Sequence, residues 1–399
     1  MTLNEIAKEI GVVKYDTIPE GMFAYYPVPE DRKGELCSLE MIERLQERFE
    51  FFGDYFEAAK ERWAAVEKDE LRKTWIDVAS LYMIDNEYEK ITKIPVPEPD
   101  RDVPNMAGDL LQLFIHVPSI EAAYDTYIKR GFDHEFALSV VQRFRGNIRH
   151  TSENIMGRPT MIGMYFRWCC LYTKARLFVT GGFNFEVHRF SLAYIIRNKK
   201  TGEILPLSKN DKMHRSGLVL GSAGATDEEG AYEVTFEETE DAYIGHPARN
   251  SYFTKEKEVF PKSEWEMVMK PGDNSCGIHI PKNADVTPAS FRKALDSARE
   301  FLKKGYSDCD PKMFTCASWL LSPQLEEVLK PTSNILAFGR EFIRYPRKGN
   351  GKAPFSFVFP QSFRGPLEEL PEDTSLQRAL KAKYIAGEAI IDFAGVIEL

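Results

Sequence analysis

The sequence has little that would support the commonest special architectures. Its six cysteines (Cys37, Cys169, Cys170, Cys276, Cys309 and Cys316) fall at irregular spacings with no C-x-x-C pair. That pattern excludes a zinc ribbon and a disulfide framework and fits reduced thiols, so no metal is expected. No stretch approaches the ~20 uninterrupted apolar residues of a membrane span. The amino end, MTLNEIAKEIG, reads as a short amphipathic helix without the apolar core of a signal peptide, so a cytoplasmic protein is expected. Positive charge is also scarce. The net charge is −9, and the basic stretches Arg344-Tyr-Pro-Arg-Lys348 and Arg197-Asn-Lys-Lys200 are short and isolated. A nucleic-acid surface needs clustered Lys and Arg to replace counterions, and none is expected here. There is no Gly-x-Ser-x-Gly elbow, no Walker loop, no H-E-x-x-H, no internal repeat and no low-complexity tract.

What is present is an ordinary globular composition, 43% hydrophobic and 28% charged, in 399 residues. That length exceeds one hydrophobic core and predicts two domains. From Ser38 to Arg158 the apolar spacing is helical: Leu39, Ile42, Leu45, Phe49 and Phe52 recur at three and four with charges between them. Further helices are predicted at 70–90, 106–116, 118–130 and 133–148, with a short extended piece around Gly21 to Pro29. Ile94-Pro-Val-Pro-Glu-Pro-Asp100 is a connector that cannot be helix interior. A helical domain over 1–155 followed by a second domain over 156–399 is the resulting division.

After one more helix at 161–175 the texture changes. Phe183, Phe185 and Val187 alternate with Asn184, Glu186 and His188, the period-2 pattern of a half-buried strand. Gly181-Gly182 before it marks a bend or a close backbone approach. Strands are predicted near 217–221, 231–238 and 276–281. Thr287-Pro288 then supplies an N-cap with proline at the first helical position, opening a helix to Lys304. A strand at 313–320, a helix at 323–330 and strand-like stretches at 334–345 and 355–359 complete the order. Strand, helix, strand alternation predicts an α/β or α+β unit with a partly parallel sheet covered by helices.

Within this last third, the run Glu264-Trp265, Pro271-Gly-Asp273, Ile278-His-Ile-Pro281, Cys316-x-Ser-Trp-Leu-Leu321 and Ser333-Asn-Ile-Leu336 resembles the GNAT-like acyltransferase-domain proteins, over nearly the whole chain. In those proteins a helical amino-terminal domain precedes a GNAT-like carboxyl-terminal domain. The resemblance implies a mixed twisted sheet in which two parallel strands splay apart, and acyl-coenzyme A as co-substrate lying in the gap. By element order those strands are 276–281 and 313–320, so that His279 and Cys316 are expected to face one gap. The stretch Pro281-Lys-Asn-Ala-Asp-Val-Thr287 falls where a GNAT fold carries its Arg/Gln-x-x-Gly-x-Gly/Ala phosphate loop, and it contains no glycine. Lys282, Asn283 and Thr287 are the residues the resemblance offers for cofactor binding there, at a helix start with free N–H groups.

The implied activity is acyl transfer from a thioester to a small amine or hydroxyl acceptor, by direct attack with His279 as general base. The expected catalytic set is His279, Cys316 and Ser318. A histidine suits proton transfer near neutral pH. A nucleophilic Cys316 would need a nearby base or a positive field to form its thiolate, and the same residue fits a small core side chain equally well. Ser318 lies on the side of Cys316 if the strand stays regular, or else begins the next turn. Trp319 reads as packing and Asn334 as a turn or cap residue. Two other readings stay open: a GNAT-like protein that binds a ligand or partner without chemistry, and a Cys316-dependent thioester hydrolase or transferase.

Overall fold

The structure is a computed structural model, described here for residues 1–12, 17–360 and 363–399. The chain divides into two compact units, Met1–Leu177 and Phe178–Leu399.

The first unit is helical. Its helices include Leu3–Glu9, Leu39–Phe49, Phe56–Val66, Glu70–Asp85, Leu111–His116, Ile120–Lys129, His134–Val141, Arg143–Thr151 and Gly163–Thr173. Side-chain caps start them: Thr2 and Glu5 form a reciprocal capping box, and Ser38, Asp69 and Asp133 each accept from a backbone N–H of the first turn. In Glu70–Asp85 every residue from Trp75 to Met83 is buried, so this helix runs through the core of the unit. A buried ion pair, Arg158 Nε to Asp109 Oδ2 at 2.9 Å, ties the loop after Arg143–Thr151 to the start of Leu111–His116. The predicted helix 133–148 is two helices, and the piece near Gly21 is a 3₁₀ turn, Glu20–Tyr25, and not an extended strand.

The second unit is built on a six-stranded mixed sheet. Its strands are β1 (Leu177–Thr180), β2 (Phe183–Arg189), β3 (Asn274–His279), β4 (Met313–Ser318), β5 (Ile343–Pro346) and β6 (Phe393–Glu398), in the spatial order β1-β2-β3-β4-β6-β5. β3 and β4 are parallel, joined by helix α1 (Pro288–Gly305), and the pairs β2–β3, β4–β6 and β5–β6 are antiparallel. The expected partly parallel sheet with covering helices is therefore present.

One face of the sheet packs on α1 and α2 (Asn334–Arg340) through aromatic rings: Phe183 on Phe291 at 5.3 Å, and Phe291 on Phe338 at 4.6 Å. The β1–β2 turn brings backbone against α1. Gly181 and Gly182 both have positive φ, and a Cβ on Gly181 would lie 2.5 Å from Cβ of Ala294. The opposite face covers a core of Ile195, Met213, Phe253, Met269, Met313, Tyr345, Ala394 and Val396, contributed in part by the smaller antiparallel sheets between β2 and β3.

Several local expectations change. The run 334–345 is helix α2 followed by β5, because Ser333 caps a helix by accepting from Ile335 N. The stretch 355–359 lies in helix Ala353–Val358 and its exit, not in a strand. Residues 323–330 begin with a 3₁₀ turn, Pro323–Glu327, and near 217–221 only an isolated bridge, Met213 to Val219, forms. Short apolar runs fit a buried strand and a buried helix alike, and capping decides between them.

Candidate active site

The parallel pairing of β3 with β4 consists of Cys276↔Phe314 and Gly277↔Thr315. Both strands run on beyond it, each held by its outer neighbour. β3 stays with β2 as far as His279↔Asn184, and β4 stays with β6 as far as Ser318↔Phe393. The two strands therefore part in mid-sheet, and the parting leaves backbone polar groups of Ile278–His279 and Cys316–Ser318 facing a gap and not each other.

Alternation fixes what stands on each side of that gap. Register partners share a face, so Asn184, Glu186 and His188 of β2 join Ser275, Gly277 and His279 of β3 and Thr315 and Ala317 of β4. The contacts agree. His279 Nε2 lies 2.7 Å from Oε2 of Glu186, and His188 Nε2 lies 3.0 Å from Ser275 Oγ and 3.1 Å from Thr315 Oγ1. The His279 side chain is 36% exposed and that of Glu186 is 11% exposed, so a wet imidazole rests on a largely buried carboxylate. An ionised Glu186 accepts from Nε2–H, which fixes the tautomer and places the ring lone pair on Nδ1.

Cys316 is not brought to this group. It pairs with Gly395, where an added Cβ would lie 2.8 Å from Cβ of Phe342, and Phe342 stacks on Phe291 of α1. That is the helix-covered face, opposite to His279. The expected shared gap fails on strand parity: His279 pairs in phase with Gly277 and Thr315, and Cys316 is one residue out of phase with both. Burial pushes the Cys316 thiol up to about 12, only partly offset by Arg347. A thiol so placed stays protonated and behaves as a small core side chain.

Ser318 accepts a bond from Leu320 N at 3.2 Å and so caps the 3₁₀ turn Trp319–Leu321, while Trp319 is buried in an apolar cluster with Leu325, Leu336 and Leu380. Lys282 and Asn283 are exposed on a turn closed by Ala284 N to Pro281 O at 3.0 Å. Thr287 is the N-cap residue of α1 but makes no side-chain cap. Asp285 takes that role: its carboxylate accepts from Thr287 N at 3.0 Å and from Ser290 Oγ at 2.5 Å, and these bonds hold it below the usual carboxylate range. A negative charge thus sits at the positive end of α1, without glycines around it.

The sequence had placed Glu186 and His188 on the polar side of β2 without assigning either a role. Their position over β3 was recoverable only from register, which requires knowing that 183–189 pairs with 274–279 across some ninety intervening residues. Among the described residues, no group of three or more His, Cys, Asp or Glu side chains is arranged to hold a metal, and no helix is long and apolar enough to cross a membrane.

Comparison with known proteins places this geometry in a wider context. Residues 177–397 match the family model described as the GNAT-like C-terminal domain. Among solved structures, an acyltransferase in complex with decanoyl-CoA and teicoplanin is similar over 100% of both chains, at 16% identity and a TM-score of 0.61. An acyltransferase in complex with CoA and 10C-teicoplanin aligns over the same extent at 15% identity and a TM-score of 0.62, and a mutant acyltransferase in complex with octanoyl-CoA at 16% and 0.60. At these identities the likeness is one of fold. No curated protein matches the sequence.

Proposed function

The chain belongs to the family of the GNAT-like C-terminal domain, and from that premise we propose that it transfers an acyl group from an acyl-coenzyme A thioester to a small amine or hydroxyl acceptor. The observation that carries the reading is the parting of β3 from β4 after Gly277 and Thr315, with the His279–Glu186 pair on one rim. Solved proteins of the same fold, similar over the full length, bind decanoyl-CoA and octanoyl-CoA, which supports a CoA thioester as the donor.

The chemistry follows from the placement. The acceptor's lone pair attacks the thioester carbon while Nδ1 of His279 takes the proton that the acceptor loses. Glu186 steadies the resulting imidazolium from the Nε2 side. Backbone N–H groups released where β3 leaves β4 are suited to the carbonyl oxygen as it becomes an oxyanion. Collapse of the tetrahedral adduct breaks the C–S bond. The leaving thiolate then recovers the proton from His279, and acylated acceptor and CoA thiol depart. Lys282 and the start of α1 lie on the side where the CoA phosphates are expected, with Asn283 and Thr287 beside them.

A second reading has one observation in its favour. Asp285 occupies the helix start where a diphosphate would be held, and the preceding loop has no glycine to open its backbone. A scaffold that retained the gap but lost the donor would look like this. The two readings separate in one experiment. The purified protein is incubated with acyl-CoA thioesters of several chain lengths and a pool of amines and alcohols, and CoA thiol is measured by disulfide exchange with a chromogenic reagent. Acceptor-dependent thiol release that is lost in His279→Ala supports transfer. Absence of both thioester binding and thiol release across all chain lengths rejects it.

A further inference from the structure

Beyond the His279–Glu186 pair, a second imidazole lies on the same face two residues along β2, and nothing in the mechanism above uses it. His188 belongs to β2, Thr315 to β4, and β3 runs between them. Even so, Nε2 of His188 lies 3.1 Å from Oγ1 of Thr315. The ring reaches across because the residue it crosses is Gly277: a Cβ there would lie 3.1 Å from both Cδ2 and Nε2 of the ring, closer than such contacts ordinarily come. Ser275, fully buried on the near side of β3, meets the same nitrogen at 3.0 Å. One imidazole therefore spans three strands.

The place where it does so is informative. Thr315 is the partner of Gly277, and this rung is the last before β3 and β4 separate. We propose that His188 is a positioning residue, a clamp that ties β4 to β2 through the glycine window at 277 and so fixes the rung at which the acyl gap begins. Moving the split by one residue would shift the released N–H groups along both strands and turn each of them to the other side. The gap would then present different donors to the thioester, although no catalytic group had changed. The functional half of this inference rests on the acyl-transfer reading.

The test therefore has an arm that needs no substrate. Amide hydrogen exchange is followed residue by residue across 274–279 and 313–318 in the wild type, His188→Ala, Thr315→Val and His188→Gln. Loss of the clamp speeds exchange at the Gly277 and Thr315 amides by about tenfold, the equivalent of one lost hydrogen bond, while amides of α1 are unmoved. His188→Gln, which keeps a polar tip of similar reach, recovers part of the protection. Gly277→Ala supplies a cycle: it speeds exchange in the wild-type background, where the methyl displaces the ring, and has no added effect in His188→Ala. Unchanged exchange at this rung in His188→Ala overturns the clamp, whatever the enzyme binds.

The second arm measures acyl-CoA kinetics. A misplaced split weakens donor binding, so His188→Ala and Thr315→Val raise KM for the thioester about tenfold with kcat held within roughly twofold. A loss confined to kcat in these variants counts against the assignment. A wild-type protein that binds no thioester overturns the acyl-transfer reading, and the exchange arm then judges the clamp by itself.

Discussion

Nε2 of His279 lies 2.7 Å from Oε2 of Glu186, and the two residues come from antiparallel strands of one sheet face. Neither side chain has a neighbour in sequence that would hold it so. The orientation of the imidazole therefore depends on β2–β3 register, and the acid is a member of the site as much as the base is. Glu186→Gln keeps the shape but removes the charge that steadies an imidazolium. His279→Ala is expected to lower kcat for thiol release by about 10²- to 10⁴-fold, the usual contribution of a general base. Glu186→Gln should lower kcat by a smaller factor, with little change in KM. Equal activity of His279→Ala and wild type would remove His279 from the mechanism.

Thiol chemistry offers an independent check on which face of the sheet is wet. Five of the six cysteines are buried, and Cys309 alone is partly exposed. With its thiol pushed up to about 12 by burial, Cys316 carries about 10⁻⁴ of its population as thiolate at pH 8. Iodoacetamide at that pH should modify Cys309 well ahead of Cys316, as read by peptide mass spectrometry, and Cys316→Ala should retain thioester turnover. Preferential labelling of Cys316 in the native protein would restore the covalent mechanism that its placement argues against.

Much of this was legible in the chain, and the misses share a cause. Alternation at 183–188, the Thr287-Pro288 helix start and the strand around Cys276 were readable because each is a local signal: a period of two, a cap, a proline. Local signals also misled at 334–345, where an apolar run looked like a strand until Ser333 capped it as a helix. The strand Phe393–Glu398, which lies against β4 and completes the sheet, follows a polar helix and drew no reading. The gap itself was expected at the right pair of strands. What the sequence could not supply was phase. His279 and Cys316 each looked well placed on its own strand, and only the pairing Gly277↔Thr315 shows that they point to opposite faces.

The first unit carries its own titration. His116 is fully buried, with Nε2 3.2 Å from the carbonyl of Phe166 and Nδ1 2.9 Å from Thr173 Oγ1. Burial lowers its pKa from 6.5 to about 3, with the Phe166 carbonyl opposing the shift. A depressed pKa in the folded state means that the unfolded chain binds the proton first. Stability is then complete above pH 6.5 and is lost as pH falls toward 3, at about 1.4 kcal/mol per pH unit. Urea unfolding followed by tryptophan fluorescence should show about 2 kcal/mol less stability at pH 5 than at pH 7 from this residue, a difference absent in His116→Asn. The same pH slope in both proteins would assign the loss elsewhere.

The charge at the head of α1 gives the sharpest test of the donor. Asp285 does two jobs there: it accepts from Thr287 N and Ser290 Oγ, which starts the helix, and it sets a negative charge at the end of the dipole that would attract phosphate. Asp285→Asn separates them, because the amide oxygen can still accept from the backbone while the charge is gone. If CoA phosphates approach this helix, repulsion falls and acyl-CoA should bind about two- to fivefold more tightly by fluorescence or calorimetry, the usual scale of a charge at a helix terminus. The gain should shrink as salt is raised, since an exposed charge is screened over a distance that shortens with ionic strength. Unaltered affinity at low salt would mean that the phosphates do not pass α1. The donor would then have to reach the His279 rim by a route that avoids Lys282, Asn283 and Thr287, and the glycine-free loop would cease to be a departure that needs compensation.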